Sequence, residues 1–207
     1  MDSPGDTLGI TPSRTICVDT LHANYLGPVL VVCMRVMWVM IRAGIWAPGI
    51  AQSEEAANNV YVALLLKQDL FAFYKEWKTT NPGQKLTEVS DITPKMIGAA
   101  GANPMDHKGC LMKVKAAETS ILMGFALHAL RTHNLNQPQL IAAGEALSNY
   151  LLVMHSADAV PSNTDCRLLM DHMITHLVLC EGAHVHYAPK HHLCVEMTFR
   201  EYFDGSL

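Results

Sequence analysis

Apolar residues recur at helical spacing along most of this 207-residue chain, and that period constrains the fold more than any other feature. Between residues 112 and 131 they lie three or four positions apart on one stripe. A second stripe follows Pro138, a residue suited to the first position of a helix, and includes Leu140 and Leu147. The strict apolar–polar alternation of strands does not occur over any useful length. The pattern predicts an all-α protein of five to six helices.

The run Ser53-Glu54-Glu55 is a favourable helix start, since a hydroxyl cap is followed by acids in the first turn. The helix that it opens is predicted to end near Trp77. Its predicted inward residues are Val60, Leu64, Phe71 and Tyr74. Residues 78–106 contain three prolines and three glycines, and they predict a long irregular connection with at most short helices.

Capping residues also mark the C-terminal helices. The run Ser162-Asn163-Thr164-Asp165 resembles a capping box with Asp in place of Glu, and it predicts a helix that ends near Cys180. Gly182 breaks the chain after that helix, and Pro189 is expected to start the last one.

Composition excludes several classes of protein. Half of the residues are hydrophobic and only 16% are charged, which is incompatible with a disordered chain. The net charge is −4 and the lysines and arginines are scattered, so no nucleic acid partner is expected. The six cysteines are widely spaced and include no C-x-x-C pair, which favours reduced, buried thiols and a cytoplasmic location.

The segment from Pro28 to Ile50 contains nearly continuous apolar runs that are interrupted by Arg35. A membrane-spanning helix needs about 20 apolar residues, and a central Arg costs roughly 2.5–3.5 kcal/mol on insertion. We therefore expect a buried or loosely ordered helix, with a membrane anchor or a leader foreign to the fold as alternatives. The predicted organisation is a tail and apolar extension over residues 1–40 and a helical domain over residues 41–207.

His155 follows the apolar run Tyr150-Leu151-Leu152-Val153-Met154. Leu147, Leu151 and His155 are four residues apart, so the imidazole projects from the apolar face of the predicted helix. Imidazole is well suited to bind heme iron or another transition metal from one side. A histidine at a helix C-terminus is also explained by the helix dipole alone, so both interpretations are open.

The run Met154-His155-Ser156-Ala157-Asp158-Ala159-Val160, with the capped helix after it, resembles the F helix, FG corner and G helix of the globin family. The segment 122–127 resembles the part of the globin E helix that covers the distal heme face. This resemblance extends over roughly residues 41–204. It implies a globin-like bundle that binds heme and a diatomic gas such as oxygen, or that carries out redox or sensing chemistry at the iron.

By the same resemblance, His155 is the proximal ligand of the iron. Six other residues are then expected around the cofactor: Leu122 and Phe125 on the distal side, Val160 against the porphyrin edge, Leu151 on the helix face that carries His155, Phe73 (or Tyr74) as the aromatic against the heme, and Glu118 in place of the usual distal histidine, with Ser120 as its alternative. Nothing in the resemblance implies catalytic turnover.

Histidines concentrate towards the C-terminus, where six of the eleven fall between His172 and His192. His172 and His176, at positions i and i+4, could offer two ligands to zinc or iron. Two cysteines and four histidines between Cys180 and Cys194 could surround one tetrahedral zinc, although surface histidines explain the same pattern. Two alternatives to heme are therefore a non-heme zinc or iron protein and a cofactor-free helical interaction protein.

Overall fold

The computed structural model describes residues 20–46, 55–97, 114–157, 161–187 and 189–204. The helices are α1 (Thr20–Asn24), α2 (Leu30–Arg42), α3 (Glu55–Thr80), α4 (Pro94–Ile97), α5 (Ala116–Thr132), α6 (Pro138–Ser156), α7 (Asn163–Gly182) and α8 (Pro189–Asp204), and a π-helical turn (Tyr25–Val29) joins α1 to α2. No strand occurs in these ranges, so the predicted all-α class is confirmed.

Three predicted helix starts are found at the expected positions, while the start predicted at Ser53 and Glu54 lies outside the described residues. Helix α6 begins at Pro138 and α8 begins at Pro189. The Ser162 hydroxyl accepts a hydrogen bond from the Asp165 amide at 3.2 Å, and the Asp165 carboxylate accepts one from the Ser162 amide at 3.0 Å. The Ser162 hydroxyl also donates to the Asp165 carboxylate at 2.6 Å, and this bond together with the one from the Ser162 amide lowers the pKa of Asp165. The contacts confirm the capping box at the start of α7.

Three of the described helices are followed by a residue in the left-handed backbone region, a common way for a helix to end. These residues are Gly44 after α2, Asn134 after α5 and His184 after α7. At the end of α7, the Val185 amide donates to the Cys180 carbonyl at 2.9 Å, and the His184 amide donates to the Glu181 carbonyl at 3.2 Å. This arrangement turns the chain sharply towards α8, and it holds His184 in a conformation that favours glycine.

Helix α2 lies at the centre of the bundle. Val32, Val36, Met37 and Met40 have no exposed surface, and α2 packs mainly against α5. Within the described residues, one helical stretch, His22–Arg42, is long and apolar enough to cross a membrane, with a mean hydropathy of 1.6. Since 56% of its apolar window is buried inside the bundle, the structure agrees with a buried core helix.

The proposed boundary between residues 40 and 41 falls inside α2. Beyond that helix, the indole of Trp46 is buried and stacks on the Phe125 ring, with ring centroids 6.4 Å apart. Its Nε1 donates a hydrogen bond to the Asp69 carboxylate at 2.8 Å. The chain on both sides of the boundary therefore packs in one core. An apolar helix of this length is stable in water only when it is covered, and the bundle covers most of this one.

Arg35, the charge within the apolar run, is only partly buried. Its Nε donates to the Ala183 carbonyl at 3.2 Å, at the C-terminal end of α7, and its guanidinium lies 4.9 Å from the centre of the Trp38 ring. Burial lowers the pKa of Arg35, while the helix dipole and the aromatic face favour its positive charge. This contact fixes the end of α7 against the central helix.

The predicted inward face of α3 is wrong at three of its four residues. Tyr74 is buried, but Val60, Leu64 and Phe71 are between 41% and 57% exposed. The residues that face the core are Val62, Ala63, Leu66, Leu70 and Tyr74. Both faces of α3 are apolar, so the helical period alone could not select the buried one.

The irregular connection after α3 is confirmed where it is described. Residues 81–93 form no helix, and α4 is a single short turn. Val89 and Ile92 are buried against the bundle, and the Val89 amide donates to the Tyr74 hydroxyl at 3.0 Å. Residues 98–106 of the predicted connection lie outside the described residues.

A substitution at Gly27 tests whether the N-terminal segment packs against α8. A Cβ at this position would lie 2.7 Å from the Cβ of Lys190, at the start of α8. We expect Gly27→Ala to lower the free energy of unfolding by about 1–3 kcal/mol, because backbone must move to relieve the overlap. Denaturant unfolding of the full chain measures this change.

Gly124→Ala is the matched control. Its Cβ would lie 3.5 Å from Cζ of Phe73, an ordinary contact, in the interior of α5. This substitution should raise stability by about 0.5–1 kcal/mol because alanine favours the helix. Equal effects of the two substitutions would contradict the packing of the N-terminal segment on α8.

Candidate functional site

His155 lies in the last turn of α6, and its side chain is exposed. Its ring is nearly parallel to that of Tyr25, with centroids 6.0 Å apart, and the Tyr25 hydroxyl lies 3.5 Å from His155 Nε2. Tyr25 is buried, which raises its pKa, and its hydroxyl also hydrogen-bonds Ser120 on α5. Tyr25 therefore lies between His155 on α6 and Ser120 on α5.

The other residues expected around a heme have packing or capping contacts of their own. The Glu118 carboxylate accepts a hydrogen bond from the Lys115 amide at 2.8 Å and caps the start of α5. Phe125 is buried, and its ring packs against that of the half-buried Phe73 with ring centroids 5.7 Å apart. Leu122 and Leu151 are buried in the core, and Val160 lies outside the described residues.

Four buried nitrogen- and sulfur-bearing side chains lie on the two helices that form the C-terminal corner. They are His176 and Cys180 on α7 and His191 and Cys194 on α8, all at most 2% exposed, and we refer to them as the histidine–cysteine cluster. The rings of His176 and His191 stack in parallel with centroids 5.7 Å apart. Spacings of four and three residues place each pair on one face of its helix.

The orientation of the His176 ring is fixed by the backbone of α6. His176 Nδ1 lies 2.9 Å from the Ala143 carbonyl oxygen. A carbonyl only accepts, so Nδ1 carries the proton and Nε2 is the accepting nitrogen of the ring, with the Cys180 sulfur 3.4 Å away. Burial lowers the pKa of His176, which keeps the ring neutral at neutral pH.

The Cys180 sulfur lies against the His176 ring, 3.4 Å from Nε2 and 3.6 Å from Nδ1. These nearly equal distances place Sγ over the face of the ring rather than along the Nε2 lone pair. Burial raises the pKa of both the Cys180 and Cys194 thiols to about 12, so both are protonated. The cluster therefore lacks the thiolate of a nucleophilic cysteine enzyme.

Across the ranges that the structure describes, no three His, Cys, Asp or Glu side chains converge closely enough to hold a metal ion as they stand. The predicted pair of His172 and His176 is divided between surface and core: His172 is partly exposed, while His176 is fully buried. The sequence pattern did not distinguish the histidines of this region that turn inwards from those that stay at the surface. The signal that could have found them is the helical spacing from each histidine to the cysteine that follows it.

No family model, curated protein or solved structure matches this chain. The fold and the site define an all-α protein with two buried histidines and two buried cysteines on its last two described helices, in which His176 contacts Cys180 and His191. The globin resemblance, heme binding, the gas ligand and the cytoplasmic location stay predictions of the sequence.

Titration of the purified protein with heme tests the prediction at His155. Because Tyr25 fills the space beside this exposed imidazole, we expect wild type and His155→Ala to give the same absorption spectra. A Soret band in the wild type that is lost in His155→Ala would instead support the globin resemblance.

Proposed function

We propose that this protein binds one zinc ion, or a similar divalent transition metal, through the histidine–cysteine cluster, and that the metal ties α7 to α8. Two imidazoles and two thiolates are a common ligand set of structural zinc sites. The single observation that carries the proposal is the 2.9 Å contact between His176 Nδ1 and the Ala143 carbonyl, since it presents a buried Nε2 lone pair inside the cluster.

The contact with Ala143 is the kind that orients histidine ligands in metal sites. A histidine that binds a metal through one nitrogen usually donates a hydrogen bond from the other to a backbone carbonyl or a carboxylate. That bond selects the tautomer and restrains ring rotation before a metal arrives. Because the His176 ring is already neutral, no proton has to leave it on binding.

The Cys180 sulfur is at a suitable distance from His176 Nε2 for both to bind one metal ion, but it lies over the face of the ring and not along the Nε2 lone pair. The nitrogen and sulfur ligands of a tetrahedral zinc are about 3.5 Å apart, given ordinary Zn–N and Zn–S bond lengths. The separation of His176 Nε2 and Cys180 Sγ is 3.4 Å. Rotation about the Cα–Cβ bond of Cys180 moves the sulfur off the ring face, so that loading requires a change of rotamer and little movement of α7.

His191 and Cys194 supply the second half of the proposed ligand set from α8. The parallel stack of His191 on His176 brings this helix within reach of the same ion. Four protein ligands complete a tetrahedral shell and leave no position for a substrate, which is the arrangement of structural rather than catalytic zinc. The ion would then stabilise the corner between α7 and α8.

Metal analysis of the full chain, purified under reducing conditions, tests the proposal. We expect about one zinc per chain, and Co²⁺ in its place should give the visible ligand-field bands of a tetrahedral site. Cys180→Ala should lose both the bound zinc and the Co²⁺ bands. Its matched control is Cys166→Ala, which removes another buried thiol from α7 about four turns earlier and should keep both.

Circular dichroism of each variant establishes that its helices are intact before metal is added. Absence of stoichiometric metal from the folded wild type would contradict the proposal and favour the cofactor-free bundle. Equal metal contents in folded Cys180→Ala and Cys166→Ala would contradict the assignment to the cluster.

The metal affinity should rise steeply with pH. With pKa values of about 12 in the metal-free protein, Cys180 and Cys194 must each release a proton when they bind the ion. When two protons are released, the metal affinity rises about a hundredfold for each pH unit. The His176 ring is already neutral near neutral pH, so it releases no further proton. Competition with a chelator of known proton affinity, from about pH 6 to pH 8, measures this slope. An affinity that does not change over that range excludes thiol ligands.

A further inference from the structure

The outer face of α7, on the side of the helix away from α6, carries three large apolar side chains that the bundle leaves in solvent. Leu168 is 38% exposed, Ile174 is 47% exposed and Val178 is 66% exposed. With the exposed Asp171, they follow one another at intervals of three or four residues, so they lie on one side of the helix. Apolar residues that recur on one exposed side favour a contact with another helix.

Two exposed charges of opposite sign lie on the same side of α7, one towards each end of the helix. Arg167 precedes Ile174 by seven residues, and Glu181 follows it by seven. Seven residues are close to two helical turns, which is why both charges share a side with Ile174. The two charges are about 21 Å apart along the helix axis, too far for an ion pair within one chain. Neither forms an ion pair with another of the described residues.

A second copy of α7 that lies antiparallel on the first matches this pattern. In an antiparallel pair related by a two-fold axis, residues equally far from the axis on opposite sides face one another. With the axis at Ile174, Arg167 of each copy faces Glu181 of the other, and the two Ile174 side chains meet. Nearly the same register brings Leu168 opposite Val178, since these residues lie five positions on either side of position 173.

We infer that the outer face of α7 is an interface through which two copies of this chain form an antiparallel dimer. One register pairs all three exposed apolar side chains and both charges. A parallel pair would instead place like charges beside each other at both ends, which is unfavourable. The histidine–cysteine cluster lies on the opposite, buried side of α7, so this inference does not depend on the proposed metal site.

The dimer should be reversible. Each copy contributes one helix of 20 residues, and a contact about 30 Å long is at the small end of specific interfaces. We therefore expect dissociation at about micromolar concentration. Sedimentation velocity of the full chain, over about a hundredfold range of concentration under reducing conditions, measures the change from monomer to dimer.

A charge swap tests the antiparallel register. Arg167→Glu alone, or Glu181→Arg alone, should weaken the dimer about tenfold, because each change places like charges opposite one another twice. The double substitution Arg167→Glu with Glu181→Arg should restore the affinity to within about threefold of wild type, because opposite charges then face each other again. A negative charge near the start of the helix and a positive one near its end suit the helix dipole, so these variants should stay folded.

Val178→Lys tests the apolar part of the interface, and Leu152→Lys is its matched control. Both side chains are 66% exposed, but Leu152 lies on α6 and outside the proposed contact. Val178→Lys should leave the protein monomeric over the whole concentration range, because it buries a charge in the contact. Leu152→Lys should dimerise like the wild type.

Three results would overturn the inference. The first is a wild-type chain that stays monomeric over the whole concentration range. The second is a double charge swap that associates no better than either single variant, since the charges would then not meet across a two-fold axis. The third is an equal effect of Val178→Lys and Leu152→Lys on the dimer, which would place the contact elsewhere on the surface.

Discussion

The burial of α2 is the constraint on which the rest of the structure depends. A helix with this many apolar side chains is stable in water only when other elements cover it on several sides. Helix α5 covers one side, and the close approach at Gly27 brings the start of α8 against the π-helical turn before α2. Arg35 reaches from α2 to the last turn of α7. The corner that carries the candidate site is thereby held against the centre of the fold.

The chemistry of the cluster follows from that burial. Inside the core, His176 is held neutral and the thiols of Cys180 and Cys194 are held protonated, because charge is costly where water is excluded. In the proposed function, a divalent ion displaces the thiol protons and turns these groups into ligands. The Ala143 carbonyl already fixes the tautomer that this role needs.

Local signals predicted the helix boundaries well. The cap at Ser162 and the prolines at the starts of α6 and α8 act on their own neighbours, so that a short stretch of sequence contains the whole interaction. The buried face of α3 could not be predicted in this way, because both of its faces are apolar and only the packing of the bundle selects between them.

The candidate sites depended on contacts that no local pattern contains. His155 was placed on an apolar face by its spacing, but the residue that stacks on it is Tyr25, 130 positions away. The histidine-rich region was recognised from composition, and yet the choice of His176 over His172 required the position of α6. His191 meets His176 only because α8 packs against α7. Spacing thus predicted which residues share a helix face, and tertiary packing decided which faces meet.

X-ray absorption at the zinc edge of the loaded full-length protein tests the central claim most directly, since it counts the ligand atoms around the metal. A shell of two sulfur atoms at about 2.3 Å and two nitrogen atoms at about 2.0 Å is the predicted result. A shell of nitrogen and oxygen alone would place the metal among surface histidines and contradict the account.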